Sequence, residues 1–220
     1  MNKFLSILFG IFLPITVLFF AFGIETFNDK NYEESYIKYD VVSTTKLNIN
    51  ELMEVTRELL SNLKGNTNES YLKNYFNEKE MLHLKDVRHL FKMGFTIRYV
   101  FLTLLIVLFV YLFFETPDSI RKIINYTSVI TFIMIGIFLL LIKIDFNKYF
   151  TYFHLIFFDN DLWLLDPNTD LMLQMMPEPF FINIFKKIIL LFIFFMATIV
   201  IITNISKERV AKKIGNKYFD

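Results

Sequence analysis

The sequence predicts an α-helical membrane protein with four transmembrane helices, an extracytoplasmic α+β ectodomain and a second extracytoplasmic loop. The 220 residues are 55% hydrophobic and 18% aromatic. Their mean hydropathy is +0.45, which favours a chain with several membrane spans over a soluble domain. Four long apolar segments are separated by charged ones. A polar segment follows the first of them, and an acidic, aromatic loop follows the third.

The first apolar segment, residues 4–23, is predicted to be transmembrane helix 1. It is long enough to cross a hydrocarbon core about 30 Å thick at about 1.5 Å per residue. Ala21, Phe22 and Gly23 resemble a small-x-small cleavage site, so a cleaved signal peptide is the alternative interpretation. The apolar run is longer than the roughly 7–15 residues of a usual signal-peptide core. We therefore expect the segment to be retained as a span.

The polar segment, residues 24–95, is predicted to form the extracytoplasmic α+β domain. Residues 36–42 have the aromatic and β-branched content of a strand. Asn48 is a suitable N-cap for a helix whose apolar side chains recur as far as Leu63, and Gly65 supplies a left-handed stop.

A second ectodomain helix is predicted to begin at Asn77, where Glu80 completes a capping-box-like pair, and to end near Gly94. The pattern of charge and hydropathy places the remaining boundaries as follows: transmembrane helix 2 at 96–114, a cytoplasmic loop at 115–122, transmembrane helix 3 at 123–144, an extracytoplasmic loop at 145–181, transmembrane helix 4 at 182–204 and a cytoplasmic tail at 205–220.

The distribution of positive charge predicts the orientation of the chain. Basic residues near the spans fall on one side, which is normally cytoplasmic; they are Lys3, Arg121, Lys122, Lys207, Arg209, Lys212, Lys213 and Lys217. The 145–181 loop holds a single lysine, Lys148, against six acids. We therefore expect a multi-pass protein of the bacterial cytoplasmic membrane with both termini cytoplasmic. The ectodomain, the loop and all three histidines would then lie at the outer face.

Several chemistries are excluded or disfavoured by composition. The chain has no cysteine, so it has no disulfide, thiolate nucleophile or thiolate metal site. It also lacks a G-x-S-x-G nucleophile elbow, an H-E-x-x-H zinc motif and a glycine-rich phosphate loop. The net charge of +1 indicates no nucleic-acid partner. The remaining candidates are proton transfer and oxyanion stabilisation by histidine.

His83 and Asp86 are three residues apart on the second ectodomain helix and share a face. A carboxylate there could fix the tautomer of the ring and raise the basicity of its other nitrogen, as beside a general base. His89 lies equally far from Asp86 on its other side, so spacing does not choose between the two histidines. An exposed helix with ordinary surface charges is the alternative interpretation. The H-x₂-D-x₂-H spacing does not place all three groups on one face, which disfavours a metal site.

His154 lies in an aromatic segment, residues 149–158, that suits a membrane interface. A histidine among such residues is partly desolvated and can exchange hydrogen bonds with an ester carbonyl near neutral pH. A water-paired interfacial histidine is the alternative. Trp163, the single tryptophan, is interpreted as a depth anchor rather than a reactive group.

Two motifs resemble those of the bacterial lipoprotein intramolecular transacylase (Lit) family. The first is residues 80–87 (EMLHLKDV), near the end of the ectodomain. The second follows the third span and runs through Phe153-His154, Phe158-x-x-Asp161-x-Trp163, Asp166-Pro167, Pro177 and Phe180-Phe181. The length, the four spans and the outer placement of both motifs agree with this family, so the resemblance covers essentially the whole chain.

The resemblance implies intramolecular O-to-N transfer of the sn-2 acyl chain from S-diacylglyceryl-cysteine to the cysteine α-amine of a lipoprotein, giving lyso-form lipoprotein. It implies that His83 and His154 are catalytic, and so selects His83 over His89. We expect His83 to be the general base and His154 to hydrogen-bond the oxyanion, without an acyl-enzyme. Orienting or loop-shaping roles are expected for Asp86, Lys85, Asp161, Trp163 and Asp166.

The expected partners are a diacylated lipoprotein and membrane lipid, for a monomer that uses no cofactor and no metal ion. Two other functions remain open at this point. A membrane-anchored sensor or assembly factor could bind a lipid or peptide through the same ectodomain. An acyl hydrolase could use the same histidines with different regiochemistry.

Overall fold

The computed structural model describes the backbone of residues 3–115 and 117–219 and the side chains of residues 3–115 and 119–205. The described chain is helical and contains no strand within these ranges. Its elements are α1 (Lys3–Thr26), α2 (Lys30–Lys38), α3 (Val41–Thr45), α4 (Ile49–Leu63), a 3₁₀ turn (Leu72–Asn74), α5 (Glu78–Glu115), α6 (Pro117–Ile144), α7 (Phe146–Phe157), α8 (Leu171–Met175) and α9 (Glu178–Phe219).

The helices contribute to two compact units. The first unit takes its described residues from 1–21, 98–140 and 189–220, and the second from 22–97 and 141–188. The ectodomain and the 145–181 loop, which the sequence separates by two spans, therefore contribute to one unit. Every candidate site residue lies in that second unit.

Four helices are long and apolar enough to cross a membrane: Lys3–Thr26, Glu78–Glu115, Ser119–Ile144 and Glu178–Ile205. The four predicted spans fall within them, which confirms an α-helical membrane protein with four candidate spans. Large apolar side chains such as Val107, Ile130 and Leu140 are exposed on α5 and α6. Lipid would cover such a surface, because hydrocarbon tails are as apolar as these side chains. The basic side chains of the tail used above for orientation lie outside the described side chains.

Small and amide side chains bring helices of the first unit together. A Cβ atom on Gly10 would lie 2.7 Å from Thr127 Oγ1, so α1 and α6 approach as closely as a glycine allows. Asn125 on α6 and Asn204 on α9 exchange two amide hydrogen bonds of 3.3 and 3.1 Å. Such reciprocal pairs satisfy polar groups that lipid cannot hydrate.

The predicted α+β ectodomain is wrong in its strand. Residues 36–42 span the end of α2 and the start of α3 instead. Tyr32 and Tyr36, four residues apart, occupy one buried face of α2, and the Tyr36 hydroxyl is hydrogen-bonded to Thr56 Oγ1 at 2.5 Å. Asp40 adopts a left-handed conformation, φ 51°, between the two helices. Helical spacing of the tyrosines therefore outweighed the strand propensity of the individual residues.

The caps predicted for α4 are confirmed. Asn48 Oδ1 accepts from the Asn50 and Glu51 amides, and Glu51 Oε2 accepts from the Asn48 amide, which completes a capping box. Gly65 takes a left-handed φ of 114° just after the helix.

The predicted end of the second ectodomain helix near Gly94 is wrong. Helix α5 begins at Glu78, where Asn77 and Glu80 form the expected reciprocal bonds of 2.8 and 3.0 Å, but it continues without a break to Glu115. A single glycine inside a helix costs only about 1 kcal/mol, and no proline lies nearby to end it. At about 1.5 Å per residue the helix is roughly 57 Å long, well beyond the thickness of a membrane core. Its charged first half, which carries His83, lies outside the apolar span 96–114.

Candidate active site

His83 is a buried side chain with an unpaired nitrogen. It lies on the second turn of α5, directly after the Asn77–Glu80 capping pair, and is 8% exposed. Its Nδ1 is buried and has no hydrogen-bond partner within the described residues. Buried polar atoms are normally paired with protein or ordered water, so this nitrogen is a candidate to bind a water molecule or a substrate group.

His154 is the one residue of α7 that is buried, and it is 7% exposed. Its Nδ1 lies 2.7 Å from the carbonyl oxygen of Phe150, one turn earlier. A carbonyl oxygen can only accept, so Nδ1 carries a hydrogen and Nε2 of the neutral ring is left as an acceptor. The ring is held between Phe150, at a centroid distance of 4.4 Å, and Trp163, which stacks on it at 4.8 Å and 25°.

The fold brings the two histidines together. Their ring centroids are 6.3 Å apart and the rings are tilted by 35°. Phe158 contacts both, with its ring centroid 5.4 Å from His83 and 5.6 Å from His154. The histidines therefore share one aromatic wall, at a separation that suits two groups acting on the same substrate atoms.

Burial keeps both rings neutral at pH 7. It lowers the pKa of His83 to about 4, helped by the neighbouring His154 and opposed by Asp86. Burial also lowers the pKa of His154, while the bond to the Phe150 carbonyl acts in the opposite direction. Because burial lowers both pKa values below the usual 6.5, these rings do not destabilise the fold above pH 6.5. Stability falls as the pH drops below 6.5, for His83 down to about pH 4.

Polar contacts join the start of α5 to the segment that follows α7. Asn160 Nδ2 donates to Asp86 Oδ2 at 2.9 Å, and Lys79 donates to the carbonyl oxygen of Leu164. These contacts hold the segment carrying Trp163 against the helix that carries His83.

Two buried carboxylates, Glu80 and Asp170, add to the contacts between α5 and the segment after α7, and we call this set of contacts the clamp. Glu80 is 1% exposed, and its Oε1 accepts from the Met172 amide at 2.6 Å while Oε2 accepts from the Asn77 amide at 2.8 Å. Asn77 Nδ2 in turn donates to Asp170 Oδ1 at 2.8 Å. Burial and the nearby Asp170 raise the pKa of Glu80, against the effect of the two backbone donors.

The remaining predicted residues lie around this pair in different roles. Among the described hydrogen bonds, the one at Asp86 comes from Asn160 and not from His83. Lys85 is exposed and forms a long ion pair with Glu69, 3.9 Å. Asp166 Oδ1 accepts from the backbone and side-chain nitrogens of Asn168 and so shapes a turn. Asp161 and His89 are exposed.

Sequence reasoning did not assign site roles to Glu80, Asp170 or Asn160. Glu80 appeared as a capping residue and as the first residue of the 80–87 motif, although its position three residues before His83 also places both side chains on one helix face. Asp170 and Asn160 act across more than 70 positions of sequence, and no local pattern carries that information. No group of three or more His, Asp or Glu side chains in the described part of the chain is arranged to hold a metal ion.

Four apolar helices define a polytopic membrane protein, and the two buried histidines lie together in its second unit. The model of the family described as lipoprotein intramolecular transacylase Lit matches residues 7–181. The chain therefore belongs to the lipoprotein intramolecular transacylase family. It is an enzyme of the bacterial membrane that acts on lipoprotein substrates.

Solved structures support the fold. The in meso structure of the membrane integral lipoprotein intramolecular transacylase Lit from Bacillus cereus matches with a TM-score of 0.82 at 19% identity, over 96% of this chain and 98% of that one. Two variants of the same protein also match, one with a histidine-to-alanine and one with a histidine-to-arginine mutation, at TM-scores of 0.80 and 0.79 and identities of 19% and 18%. Both matches cover 96% of this chain. They cover 96% of the alanine variant and 95% of the arginine variant. No curated protein sequence matches the chain.

Proposed function

We propose that this enzyme moves the sn-2 acyl chain of an S-diacylglyceryl-cysteine onto the α-amine of the same cysteine, and so produces lyso-form lipoprotein. The observation that carries the proposal is the pair of buried neutral histidines 6.3 Å apart in a chain without cysteine. The pair can move a proton and hold an oxyanion, and the α-amine of the lipidated cysteine is a nucleophile that the substrate itself brings. We therefore assign the attack on the ester to that amine.

Transfer within one molecule removes the need for an acyl-enzyme. Amine and ester belong to the same lipidated residue, and aligned intramolecular reactions reach effective molarities of about 10⁵–10⁸ M. A rigid site that aligns the two groups therefore supplies much of the rate. The contacts of Asn160, Lys79 and Glu80 support such rigidity, because they tie both histidine-bearing segments together.

His154 is the better candidate for the general base. Its Nδ1–H is committed to the Phe150 carbonyl, so Nε2 offers a lone pair to the amine. The same backbone bond favours the protonated ring, whereas His83 has no such bond at Nδ1. Proton transfer to His154 therefore costs less than transfer to His83. This assignment exchanges the roles that the sequence suggested for the two histidines.

His83 is then the neutral hydrogen-bond donor. A ring whose pKa is held near 4 stays unprotonated at pH 7 and can donate from one nitrogen to a carbonyl oxygen as negative charge develops there. Asp86 would act on this ring only through its electrostatic field. Its side chain also holds Asn160 and the segment that follows α7.

The reaction balances without any further reactant. As the amine nitrogen bonds to the ester carbon, the C=O electron pair moves to oxygen, and His154 Nε2 takes a proton from the nitrogen. Collapse of the tetrahedral intermediate restores the carbonyl and breaks the bond to the glycerol sn-2 oxygen. His154 gives its proton to that oxygen. The products are an amide and a free hydroxyl on the same molecule, so the mass is unchanged.

We further propose that the site lies at the outer membrane face and that the enzyme works as a monomer with both termini in the cytoplasm. The asymmetry of basic residues in the sequence supports this orientation. Cysteine substitution in the 24–95 and 145–181 segments, followed by labelling with an impermeant maleimide on intact cells, tests the orientation; labelling only after lysis would contradict it.

Mass spectrometry of a tagged lipoprotein, expressed with and without this chain, tests the reaction. We expect the total mass to stay constant while one acyl group appears on the N-terminal amine. Loss of one acyl mass would show hydrolysis instead. An unchanged lipoprotein would favour a non-enzymatic sensor, and either result would contradict the proposal.

Substitutions of the two histidines test their roles. His83→Ala and His154→Ala should each abolish lyso product while the protein still inserts. Glutamine separates the roles, because its amide N–H can donate a hydrogen bond but its side chain is no base. We expect His83→Gln to retain more activity than His154→Gln. Equal activity of the two glutamine variants would contradict the assignment, and full activity of either alanine variant would contradict the mechanism.

A further inference from the structure

The indole N–H of Trp163 is buried and unpaired among the described residues. An indole N–H can only donate, and leaving a buried donor unpaired costs about 1–3 kcal/mol. His83 Nδ1 is orphaned in the same way. Two unpaired nitrogens therefore flank His154, one on the ring stacked at 4.8 Å and one on the ring at 6.3 Å.

The position of Trp163 is fixed by its neighbours. The Leu165 amide donates to the Trp163 carbonyl at 2.9 Å, and the Leu164 amide donates to the Asp161 carbonyl at 3.2 Å. Lys79 on α5 holds the carbonyl of Leu164 from the other side. The backbone of Trp163 is thus held by a closed turn and by a contact to the His83 helix, and its indole is held by the stack on His154. A donor held in this way loses little entropy when it meets an acceptor.

A role as a membrane depth anchor does not account for these contacts. Tryptophan anchors place the N–H at the headgroup level, where water and polar lipid satisfy it. Here the nitrogen is buried and the ring face is covered by His154. No acceptor among the described residues reaches this N–H.

We propose that Trp163 is a catalytic residue whose indole N–H donates to the carbonyl oxygen of the substrate ester and completes, with His83, a two-donor oxyanion hole. The proposal rests on the proposed function and adds a residue to it. As the amine attacks, the carbonyl oxygen takes the electron pair of the C=O bond and approaches both donors. On collapse that pair returns, and the sn-2 oxygen leaves with the proton from His154. The ester carbonyl, rather than the amine, is therefore the group that Trp163 recognises.

Trp163→Phe tests this role, because phenylalanine keeps an aromatic ring that can stack on His154 but has no N–H to donate. Loss of one oxyanion donor lowers kcat by about 10²–10³-fold, and we expect this loss with KM and the pH profile of the wild type. A merely structural ring would leave kcat close to the wild-type value, and that result would overturn the proposal. Tyr152→Phe, which removes a hydroxyl from an exposed ring of α7, is the matched control and should retain full activity.

A measurement on the unaltered protein decides the question if Trp163→Phe fails to fold. The chain has one tryptophan, so its ¹⁵N-indole spectrum holds one N–H resonance. An S-diacylglyceryl peptide with an acetylated amine can bind but cannot react, and it should move the indole proton downfield. The matched dialkyl-ether peptide, which lacks the ester carbonyls, should leave it in place. Equal responses to the two peptides would overturn the proposal.

The proposed function can fail separately. If the wild-type protein forms no lyso product from the free-amine peptide, the reaction itself is wrong. If the wild type is active while Trp163→Phe matches it, only the role of Trp163 is wrong.

Discussion

Replacing Glu80 by alanine should remove the hydrogen bonds that join the start of α5 to α8, while both histidine side chains stay in place. Glu80 is 1% exposed, and its two oxygens accept the amides of Met172 and Asn77 at 2.6 and 2.8 Å. One of these bonds starts the helix that carries His83. The other spans 92 positions of sequence and holds α8.

The expected loss of stability follows from these two bonds. Hydrogen bonds to charged groups contribute about 1.5–3 kcal/mol each, and the substitution leaves both backbone donors unpaired. Since burial raises the pKa of Glu80 and weakens its charged form, we take the lower end, about 3 kcal/mol in total. For a chain of this size about 1 kcal/mol corresponds to roughly 2–4 °C in Tm, so Glu80→Ala should lower Tm by roughly 6–12 °C.

Thermal unfolding in detergent measures the loss of stability. Lyso-product formation, assayed at a temperature where the variant is folded, measures the loss of activity. Glu80→Gln is the matched control, because its single amide oxygen can keep one of the two bonds and should produce a smaller shift. Activity should fall in Glu80→Ala even where it is folded, because the spacing of the two histidines is no longer fixed. An unchanged Tm, or full activity of the folded variant, would refute this view of the clamp.

Three further predictions concern the single tryptophan and the membrane helices. The fluorescence of Trp163 should be quenched as His154 becomes a cation, with a midpoint below pH 6.5; a midpoint at or above 6.5, or titration that persists in His154→Gln, would contradict the burial of that ring. Asn204→Leu should lower the free energy of unfolding by about 0.6–2 kcal/mol in thermal scans, because it breaks the reciprocal amide pair with α6; an unchanged Tm would contradict a structural role. Gly10→Leu should lower the free energy of unfolding by about 1–3 kcal/mol in thermal scans, because its side chain would overlap Thr127. Ile11→Leu, at an exposed position, is the control and should leave Tm unchanged.

Much of the fold could be predicted because hydropathy and helix caps are local signals. The four spans follow from apolar runs, and the Asn48 and Asn77 caps follow from residues only three positions apart. The strand at 36–42 was wrong because aromatic content was weighed above spacing. Tyr32 and Tyr36 repeat every four residues and pack on one face of α2, so the helical period was present in the sequence.

The site was only partly predictable for a different physical reason. The sequence singles out His154 by its aromatic surroundings, whereas the choice of His83 over His89 depends on the family resemblance. The hydrogen bond from Asn160 to Asp86 could not be predicted. Spacing within a helix indicates which of its own side chains can meet, but not which acceptor a distant donor will reach. Asn160 takes that acceptor from 74 positions away. The stack of Trp163 on His154 likewise depends on the turn after α7, which no periodicity specifies.

A crossover experiment tests most directly whether the two histidines catalyse transfer within one molecule. Purified enzyme is given a mixture of two S-diacylglyceryl peptides, one unlabelled and one carrying heavy isotopes in both the peptide and the acyl chains. The account predicts that heavy acyl groups appear only on heavy peptide amines, and that neither product forms with His154→Gln. Products that combine a heavy acyl chain with a light peptide would contradict it, because they require an acyl group that leaves one molecule before it reaches another.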